Sequence, residues 1–554
     1  MEKKISISFR GSDIKEFDSG VTLYEISEAY KQYFNYPILI GTVDSDMVEL
    51  SEKITRSCTV DFFDRSSEIG NQIYSRSTQF LLILAVKELF KDAVEVVIEH
   101  SIDKGYYCEI HGTDIDKPFI RNIEEKMKEL VKEDLPIEKI SVSRLDAIKY
   151  FERQKQFDKA KVLKYISNTY INLYHVKTLY DYFYGKIAYA TGQIDDFKLT
   201  YIKENGFVLS HPSYYNPECT LEYVHHERLF NKFLDYTNWG RQIHISNASD
   251  LNEAVSNGEA GNVIRLAEAY YNNQLAFISD KIAQNRNIKL VLIAGPSSSG
   301  KTTSCKKLAV NLQSRGLKPY QISLDDYFLD RDKTPRLENG NLDTESLKAL
   351  DVTLFNKHLM QLLNGEKVEI PSYNFVLGKR EYNGNILQIG NNDIILIEGL
   401  HCLNEDLTMA IDRNIKYKIY ISPLTQLNID NHNRIHTSDT RKLRRIVRDS
   451  KYRGHGASDT LNKWHDIHDG EEKYIFPYQD DADEMLNSAL VYEIGVLKTY
   501  AEPLLFNIDE EDPCYPEALR LINFLRNFLP IPSEEVPNDS VIREFIGNSC
   551  FYKR

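Results

Sequence analysis

Residues 295–302 have the types and spacing of a phosphate-binding loop. The stretch "GPSSSGKT" satisfies the pattern GxxxxGK[ST] in full. Its glycines let the backbone wrap closely around a phosphate, while the loop N–H groups and a following helix N-terminus supply a positive field. Lys301 adds a mobile cation for the β- and γ-phosphates, and Thr302 offers a hydroxyl ligand to Mg²⁺. Compared with a structural Gly/Ser loop, the pattern favours ATP binding by Gly295, Pro296, Ser297, Ser298, Ser299, Gly300, Lys301, Thr302 and Thr303.

The flanking segments predict the elements that such a loop requires. "IKLVLIA" (residues 288–294) is almost continuously apolar, which is typical of a parallel strand buried on both faces. "TTSCKKLAVNLQSRG" reads as a helix that Gly316 ends. Strand, loop and helix therefore follow each other in the required order.

Acidic residues follow two further predicted strands. Asp325 and Asp326 come after "YQISL", and Glu398 ends "DIILIE". Ligands of a doubly wound sheet bind at this carboxyl edge. Asp325 could accept the proton of an acceptor hydroxyl or help to hold Mg²⁺, and Glu398 could hold Mg²⁺ or its water. The structural alternatives are an Asp-rich turn and a capping Glu.

An arginine-rich segment, "DTRKLRRIVRDSKYRGHG", follows these strands. A solvated basic face would be the ordinary interpretation of such a run. Beside a phosphate loop it instead predicts a closing lid, because phosphoryl transfer builds charge that arginines stabilise. The arginines are Arg441, Arg444, Arg445, Arg448 and Arg453.

The bulk properties limit the class of protein. With 554 residues the chain is too long for one hydrophobic core. A net charge of −14 argues against broad nucleic-acid binding. Seven cysteines without a CxxC pair fit a reducing compartment and give no zinc pattern. No signal-peptide core or membrane-length apolar run occurs, so we expect a cytoplasmic protein without a membrane partner.

The pattern along the chain predicts five ranges. Residues 1–65 read as a small β-grasp domain, residues 66–225 as an α+β domain, and residues 226–285 as a helical connector. Residues 286–530 contain the phosphate loop and its sheet, and residues 531–554 form a C-terminal tail with a final helix. The sequence leaves the oligomeric state open, and a homo-oligomer remains an option.

The first two ranges resemble the front end of threonyl-tRNA synthetases. "FDSGVTLYEIS" (residues 17–27) is similar to their TGS domain, and "STQFLLILAVKELF" (residues 77–90) to the first helix of their second additional, editing-type domain. The two metal-ligand histidines of that helix fall at Arg76 and Phe80, and the later His175 lacks a Cys partner at the family's spacing. The resemblance therefore implies a retained scaffold without metal chemistry; an unrelated α/β domain is the alternative.

Residues 288–490 resemble the uridine kinase family, which belongs to the phosphoribulokinase group. "DDYF", "NLD" (Asn341 to Asp343), "IPSYNFVLGKR", "LRRIVRD" and "YRG" carry the resemblance. It implies that Asp325 is the general base, that Lys301, Arg448 and Arg453 contact phosphate during catalysis, and that Thr302 and Glu398 hold Mg²⁺. The substrate-binding residues that it implies are Asp325, Tyr327, Asp343, Tyr373, Arg380 and Arg445.

Three departures concern the acceptor end of this predicted site. The family's stacking Phe is Leu342, its base-reading His falls at Gly378, and the Asp of its "Y-D-F" is Asn374. A site that loses a hydrogen bond to the base edge loses discrimination. A different nucleoside or a sugar-like alcohol is therefore an open alternative to a pyrimidine nucleoside.

We therefore expect an α/β protein in which a doubly wound P-loop kinase sheet follows the two synthetase-like domains. The predicted activity is ATP-dependent phosphorylation of a nucleoside 5′-hydroxyl with Mg²⁺. The alternative is an RNA-associated or regulatory nucleotide-binding protein that uses residues 1–225 to bind tRNA or a partner.

Overall fold

The structure is a computed structural model that describes residues 4–202, 206–336, 340, 342–390, 392–425 and 427–552. Asn341 of the predicted acceptor motif lies outside these residues. The chain forms two compact units: unit 1 is Met1–Asn257, Gln426–His436 and Leu505–Leu529, and unit 2 is Gly258–Thr425, Thr437–Leu504 and Pro530–Arg554. Each unit combines three separate stretches of the chain. The five contiguous domain ranges expected from the sequence stay predictions.

Unit 1 begins with a β-grasp-like sheet. Five strands pair in the order β2-β1-β7-β4-β5, with β1 parallel to β7 and the other pairs antiparallel. Thr22 and Glu25 form a capping box that starts helix α1. The elements are β1 (Lys4–Phe9), β2 (Asp13–Asp18), β3 (Val21–Thr22), α1 (Leu23–Glu28), β4 (Ile40–Val43), β5 (Asp46–Val48), β6 (Lys53–Ile54) and β7 (Cys58–Phe63).

The rest of unit 1 packs helices against two further sheets, of orders β13-β14-β9-β8 and β10-β11-β12. Its strands are β8 (Glu95–Ile102), β9 (Gly105–His111), β10 (Glu138–Ser143), β11 (Tyr170–Val176), β12 (Leu179–Asp181), β13 (Lys198–Tyr201) and β14 (Gly206–Ser210). Its helices are α2 (Glu68–Phe90), α3 (Lys117–Glu133), α4 (Arg144–Arg153), α5 (Phe157–Lys164), α6 (Glu227–Gln242), α7 (Ala248–Ser256) and, numbered in chain order, α15 (Tyr515–Leu525).

Unit 2 contains the predicted parallel sheet. Its strands are β15 (Leu290–Ala294), β16 (Lys318–Ser323), β21 (Asp393–Glu398), β22 (Lys416–Ser422) and β23 (Glu484–Asn487), paired in the order β16-β21-β15-β22-β23 and all parallel. From central β15 the chain builds one side of the sheet and then the other, which is doubly wound topology. Every residue of β15 is buried, as its apolar run predicts. The predicted fold class is confirmed.

The remaining elements of unit 2 surround this sheet. They are α8 (Ala260–Gln284), α9 (Lys301–Gln313), α10 (Val352–Leu363), β17 (Val368–Glu369), β18 (Ser372–Asn374), β19 (Lys379–Glu381), β20 (Ile386–Leu387), α11 (Thr437–Tyr452), α12 (Ala457–Asn462), α13 (Trp464–Tyr474), α14 (Glu493–Phe506) and α16 (Arg543–Ile546). Helix α8, predicted as part of a connector, packs on α9, where the hydroxyls of Tyr271 and Ser304 lie 2.6 Å apart. None of the helices in the described part of the chain has the length and hydropathy that a bilayer span requires.

Candidate functional site

The phosphate-binding loop lies between β15 and α9, as the sequence predicts. Gly295 is required by close approach, since an added Cβ would lie 1.9 Å from the carbonyl oxygen of Ile421. Gly300 has a φ of +83° and precedes the first residue of α9. The Nζ of Lys301 donates to the carbonyl oxygens of Gly295 (2.8 Å) and Pro296 (3.0 Å). The ammonium group is thus turned onto its own loop.

Two carboxylates reach the loop from the carboxyl edge of the sheet. Glu398 ends β21 and pairs in register with Ser323, the last residue of β16. The Glu398 Oε1 accepts weak hydrogen bonds from Thr302 Oγ1 (3.4 Å) and Ser323 Oγ (3.3 Å). Asp325 follows on the short 3₁₀ turn Leu324–Tyr327. The end of β21 and the start of α9 therefore bring together the carboxylate and the hydroxyl predicted to hold Mg²⁺.

Burial dominates the electrostatics of this edge. It raises the pKa of Glu398 to about 7, with the nearby Asp325 adding to the effect. Burial likewise raises the pKa of Asp325, against the opposing charges of Lys301, Arg453 and Arg448. Burial lowers the pKa of Lys301, against the charges of Glu398 and Asp325. Asp325, Glu398 and Lys301 therefore lie close enough for their charges to interact.

The arginine-rich helix α11 divides into structural and site-facing residues. Arg441 pairs with buried Glu471, and Arg444 is fully buried and donates to Glu493 (2.7 Å). Arg441 also donates to the Ser297 carbonyl oxygen (3.0 Å) and Arg444 to that of Ser298 (3.3 Å), so these two buried arginines support the loop through its backbone. Arg445 donates to the hydroxyl of Ser297 in the same loop.

Asp449 organises the remaining arginines. Its buried carboxylate accepts from Arg448 Nε at 2.8 Å, and lies 3.2 Å from Arg445 Nε and 3.6 Å from Arg453 Nε. Burial and then Arg448 lower the pKa of Arg445 to about 10. One anion thus gathers three cations beside the phosphate loop, a role that the sequence analysis did not assign to Asp449.

The predicted acceptor residues have different surroundings. The Tyr373 N–H on β18 donates to Asp326 Oδ1 at 3.1 Å, which ties the β18–β19 hairpin to the residue after Asp325. The Arg380 guanidinium is held by Asp351 (3.0 Å) and the carbonyl oxygen of Phe328 (3.2 Å). Asp343 Oδ2 accepts from the Tyr474 hydroxyl at 3.3 Å.

Tyr327 lies in the core beside α10 rather than open to a ligand. Its buried ring packs edge-on against Phe355, and its hydroxyl lies 3.2 Å from His358 Nδ1. The hydroxyl thus has a partner within the core, and the substrate contact of Tyr327 stays a prediction.

Gly378, at the position of the family's base-reading His, lies against Arg331. It has a φ of +64°, and an added Cβ would lie 2.7 Å from Arg331 Nε. Arg331 donates from its backbone N–H to the Gly378 carbonyl oxygen (2.9 Å) and from Nη2 to that of Phe375 (2.9 Å). Arg331 thus fills the space beside Gly378 and clamps the hairpin turn.

Glu345 and His401 also lie at the acceptor side but were missed by the sequence analysis. Burial and the charge of Glu471 raise the pKa of Glu345 to about 7, against the charge of Arg445. His401 is buried, and burial lowers its pKa to about 4; its ring stands edge-on to Tyr474 at 5.9 Å. Within the described residues, neither ring nitrogen of His401 has a hydrogen-bond partner. No motif marks these residues, because only the tertiary fold brings them to the site.

The loop has donors and hydroxyls that fit a nucleotide with Mg²⁺. The buried hydroxyls of Ser298 and Ser299 have no partner among the described side chains and backbone groups. Within the same ranges, no three His, Cys, Asp or Glu side chains are grouped as a metal site. One hydroxyl and one carboxylate, Thr302 and Glu398, suit Mg²⁺, which usually takes few protein ligands and completes its shell with phosphates and water.

The synthetase-like positions of unit 1 are filled by packed side chains. Arg76 donates to the Lys186 carbonyl oxygen at 2.6 Å, and its guanidinium lies 5.5 Å from the centre of the Tyr184 ring. Phe80 is fully buried and meets the Phe183 ring edge-on at 6.1 Å. His175 lies apart on β11, where it bonds to Glu138 and stacks on Tyr180.

Comparison with known proteins identifies the two parts of the chain separately. Residues 290–494 match the Phosphoribulokinase / Uridine kinase family. This segment is therefore a kinase domain of the phosphoribulokinase/uridine kinase type, and the resemblance predicted for it is confirmed.

The N-terminal region, about 200 residues, is homologous to threonyl-tRNA synthetase, as predicted. Threonine–tRNA ligase of Acetivibrio thermocellus is 28% identical over 200 residues, which are 35% of this chain and 31% of that protein. The enzyme of Azoarcus sp. is 31% identical over the same shares of both chains. The chain thus spans about a third of the length of these curated relatives.

Solved structures that the chain matches include a possible uridine kinase from Bacillus stearothermophilus, which is 22% identical. That match covers 27% of this chain and 79% of the other, with a TM-score of 0.23. D-glycerate 3-kinase from Cryptococcus neoformans is 16% identical over 39% of this chain and 90% of its own, with a TM-score of 0.27. Similarity of this size does not define a fold or an activity.

Proposed function

We propose that unit 2 catalyses ATP-dependent, Mg²⁺-requiring phosphorylation of a nucleoside 5′-hydroxyl. The observation that carries this proposal is the convergence of Lys301, Asp325 and Glu398 with the arginines around Asp449 at one carboxyl edge. A phosphate loop alone would support only nucleotide binding. A carboxylate close to Lys301 of that loop, with the charges of Arg448 and Arg453 nearby, supports transfer to a hydroxyl group.

Each side chain has one role in this proposal. Asp325 accepts the proton of the acceptor hydroxyl, whose oxygen then bonds to the γ-phosphorus as the bond to ADP breaks. Its raised pKa makes Asp325 a stronger proton acceptor than an ordinary Asp. Lys301, Arg448 and Arg453 stabilise the charge on the transferring group. Thr302 and Glu398 would hold Mg²⁺, which neutralises phosphate charge when bound.

The acceptor end offers polar groups that suit a nucleoside. Asp343, Tyr474, Glu345 and Tyr373 offer groups for hydroxyls and a ring. Arg331 lies beside Gly378, the position of the histidine that hydrogen-bonds the pyrimidine in the family. A sugar-like alcohol is therefore the alternative acceptor. The pyrimidine-reading interaction is therefore not part of the proposal.

ADP release measured with a panel of nucleosides and sugar alcohols tests the proposal. We expect turnover with at least one nucleoside, and a loss of about 10²-fold or more in kcat for Asp325→Ala. Turnover with sugar alcohols alone would reject the nucleoside acceptor. A near wild-type rate for Asp325→Ala would reject the base assignment.

A second candidate function rests on the similarity of the N-terminal region to threonine–tRNA ligases. In this case residues 1–225 bind tRNA or a partner, and the kinase-type site acts as a nucleotide switch. The net charge of −14 counts against it. Binding of tRNA that weakens linearly with the logarithm of salt concentration would support it, and absence of binding at low salt would reject it.

A further inference from the structure

The C-terminal segment 530–552 packs against the phosphate-binding loop of unit 2. Lys307 of α9 pairs with Asp539 (2.8 Å), and Lys451 of α11 donates to the Ile546 carbonyl oxygen (2.6 Å). The approach to the loop itself is close, since a Cβ on Gly300 would lie 2.4 Å from Val541 Cγ2. This segment lies outside residues 290–494, which match the kinase family, so that match assigns it no role.

Glu544 of this segment sits on the N-terminus of the phosphate-binding helix. Its Oε2 accepts hydrogen bonds from the backbone N–H of Thr303 at 3.1 Å and from Thr303 Oγ1 at 2.7 Å. The Tyr552 hydroxyl lies 3.2 Å from the same Thr303 oxygen. The first N–H groups of a helix have no partner within it, and their positive field attracts an anion. In this chain Glu544 supplies that anion.

A bound nucleotide would require the same donors. The N–H groups at the start of such a helix are those that cradle phosphate oxygens. Thr303 cannot direct one N–H and one hydroxyl proton at both a carboxylate and a phosphate, and the two anions would repel each other. A second carboxylate acts in the same way, because the Ser297 N–H donates to Glu471 Oε1 at 2.8 Å. Lys301 is meanwhile held by loop carbonyls.

We propose that Glu544 is an internal substitute for phosphate, through which the C-terminal segment competes with nucleotide for Thr303. The inference rests on the proposed function, in which ATP occupies this loop. Nucleotide binding must release the Glu544 carboxylate from Thr303. Anything that draws the C-terminal segment away from α9 therefore raises the affinity for nucleotide.

Nucleotide affinity of the full-length chain, without acceptor, tests this competition. Titration calorimetry with ATP and Mg²⁺ would compare wild type, Glu544→Gln and Glu544→Ala. Gln keeps the shape and removes the charge, while Ala removes the contact. Glu534→Gln is the matched control, because this exposed residue of the same segment loses the same charge away from Thr303. We expect Kd to fall about tenfold in both Glu544 variants, as for loss of one charge-assisted contact, and not in the control.

Thermal unfolding without nucleotide verifies that each variant is folded. A Kd that is unchanged or higher in Glu544→Gln overturns the inference, and a higher value would make Glu544 a nucleotide ligand. Absence of ATP binding in wild type and in both Glu544 variants would contradict the proposed function and, with it, the inference. Equal binding in all of them contradicts the inference alone.

Discussion

Replacing Asp449 by Asn tests whether one buried carboxylate positions the arginines of the phosphate site. The change keeps an acceptor oxygen and removes the charge that lies 2.8 Å from Arg448, 3.2 Å from Arg445 and 3.6 Å from Arg453. At an effective dielectric constant of about 20, one ion pair at about 3 Å has a gross attraction of about 5 kcal/mol. Desolvation offsets part of it, and removing one partner of a buried pair costs about 3–5 kcal/mol.

Arg453 contributes little to this sum because its side chain is 53% exposed and solvent screens the pair. We therefore expect Asp449→Asn to lower the free energy of unfolding of unit 2 by about 3 kcal/mol. We expect kcat to fall about 10²-fold, with a smaller effect on the KM for ATP, since misplaced arginines stabilise the transition state less.

The fluorescence of Trp464 during urea unfolding measures the change in the free energy of unfolding of unit 2. The chain has two tryptophans, so a Trp239→Phe background leaves only this buried residue of α13 to report on unit 2. Asp466→Asn, an exposed change at the start of α13, is the control and should shift stability by less than about 0.5 kcal/mol. If Asp449→Asn matched this control in stability and kept wild-type kcat, the organising role would be refuted.

Two further predictions concern the acceptor side. Burial raises the pKa of Glu345 in the folded state to about 7 from 4.5. The stability that this residue contributes is therefore complete below pH 4.5 and is lost as the pH rises towards 7. Glu345→Gln should flatten this part of the pH profile of urea unfolding, and an unchanged profile would contradict the effect of burial. Gly378→Ala should raise the KM for the acceptor several-fold without changing the KM for ATP, because the added Cβ displaces Arg331. Gly384→Ala is the control, since Gly384 has a similar φ of +76° and its added Cβ would have no atom within 4 Å. Equal effects of the two changes would exclude the contact with Arg331 as the cause.

The phosphate loop and its sheet could be predicted because their signals are local. A continuous apolar run predicts a buried parallel strand, and the spacing of Gly300, Lys301 and Thr302 predicts how the next helix begins. Asp325 and Glu398 followed from the same logic, since neighbouring parallel strands end at one edge.

Residues that depend on long-range contacts could not be predicted in this way. Arg444 and Arg445 could not be told apart from the sequence, because the difference lies in Glu493, a distant residue that pairs with buried Arg444. Glu544 stands 241 positions from Thr303, in a tail for which the sequence indicated only a loop and a short helix. The assembly of each unit from separated stretches has the same origin.

The most direct test of the central claim is the acceptor-dependent transfer of phosphate from ATP by the full-length chain. Formation of the phosphorylated acceptor would be measured by mass spectrometry, with and without Mg²⁺, for wild type and Asp325→Ala. We expect a nucleoside 5′-phosphate that appears in equal amount with ADP, requires Mg²⁺ and falls about 10²-fold or more in the variant. ADP formation without any phosphorylated acceptor, or undiminished product from Asp325→Ala, would contradict the central claim.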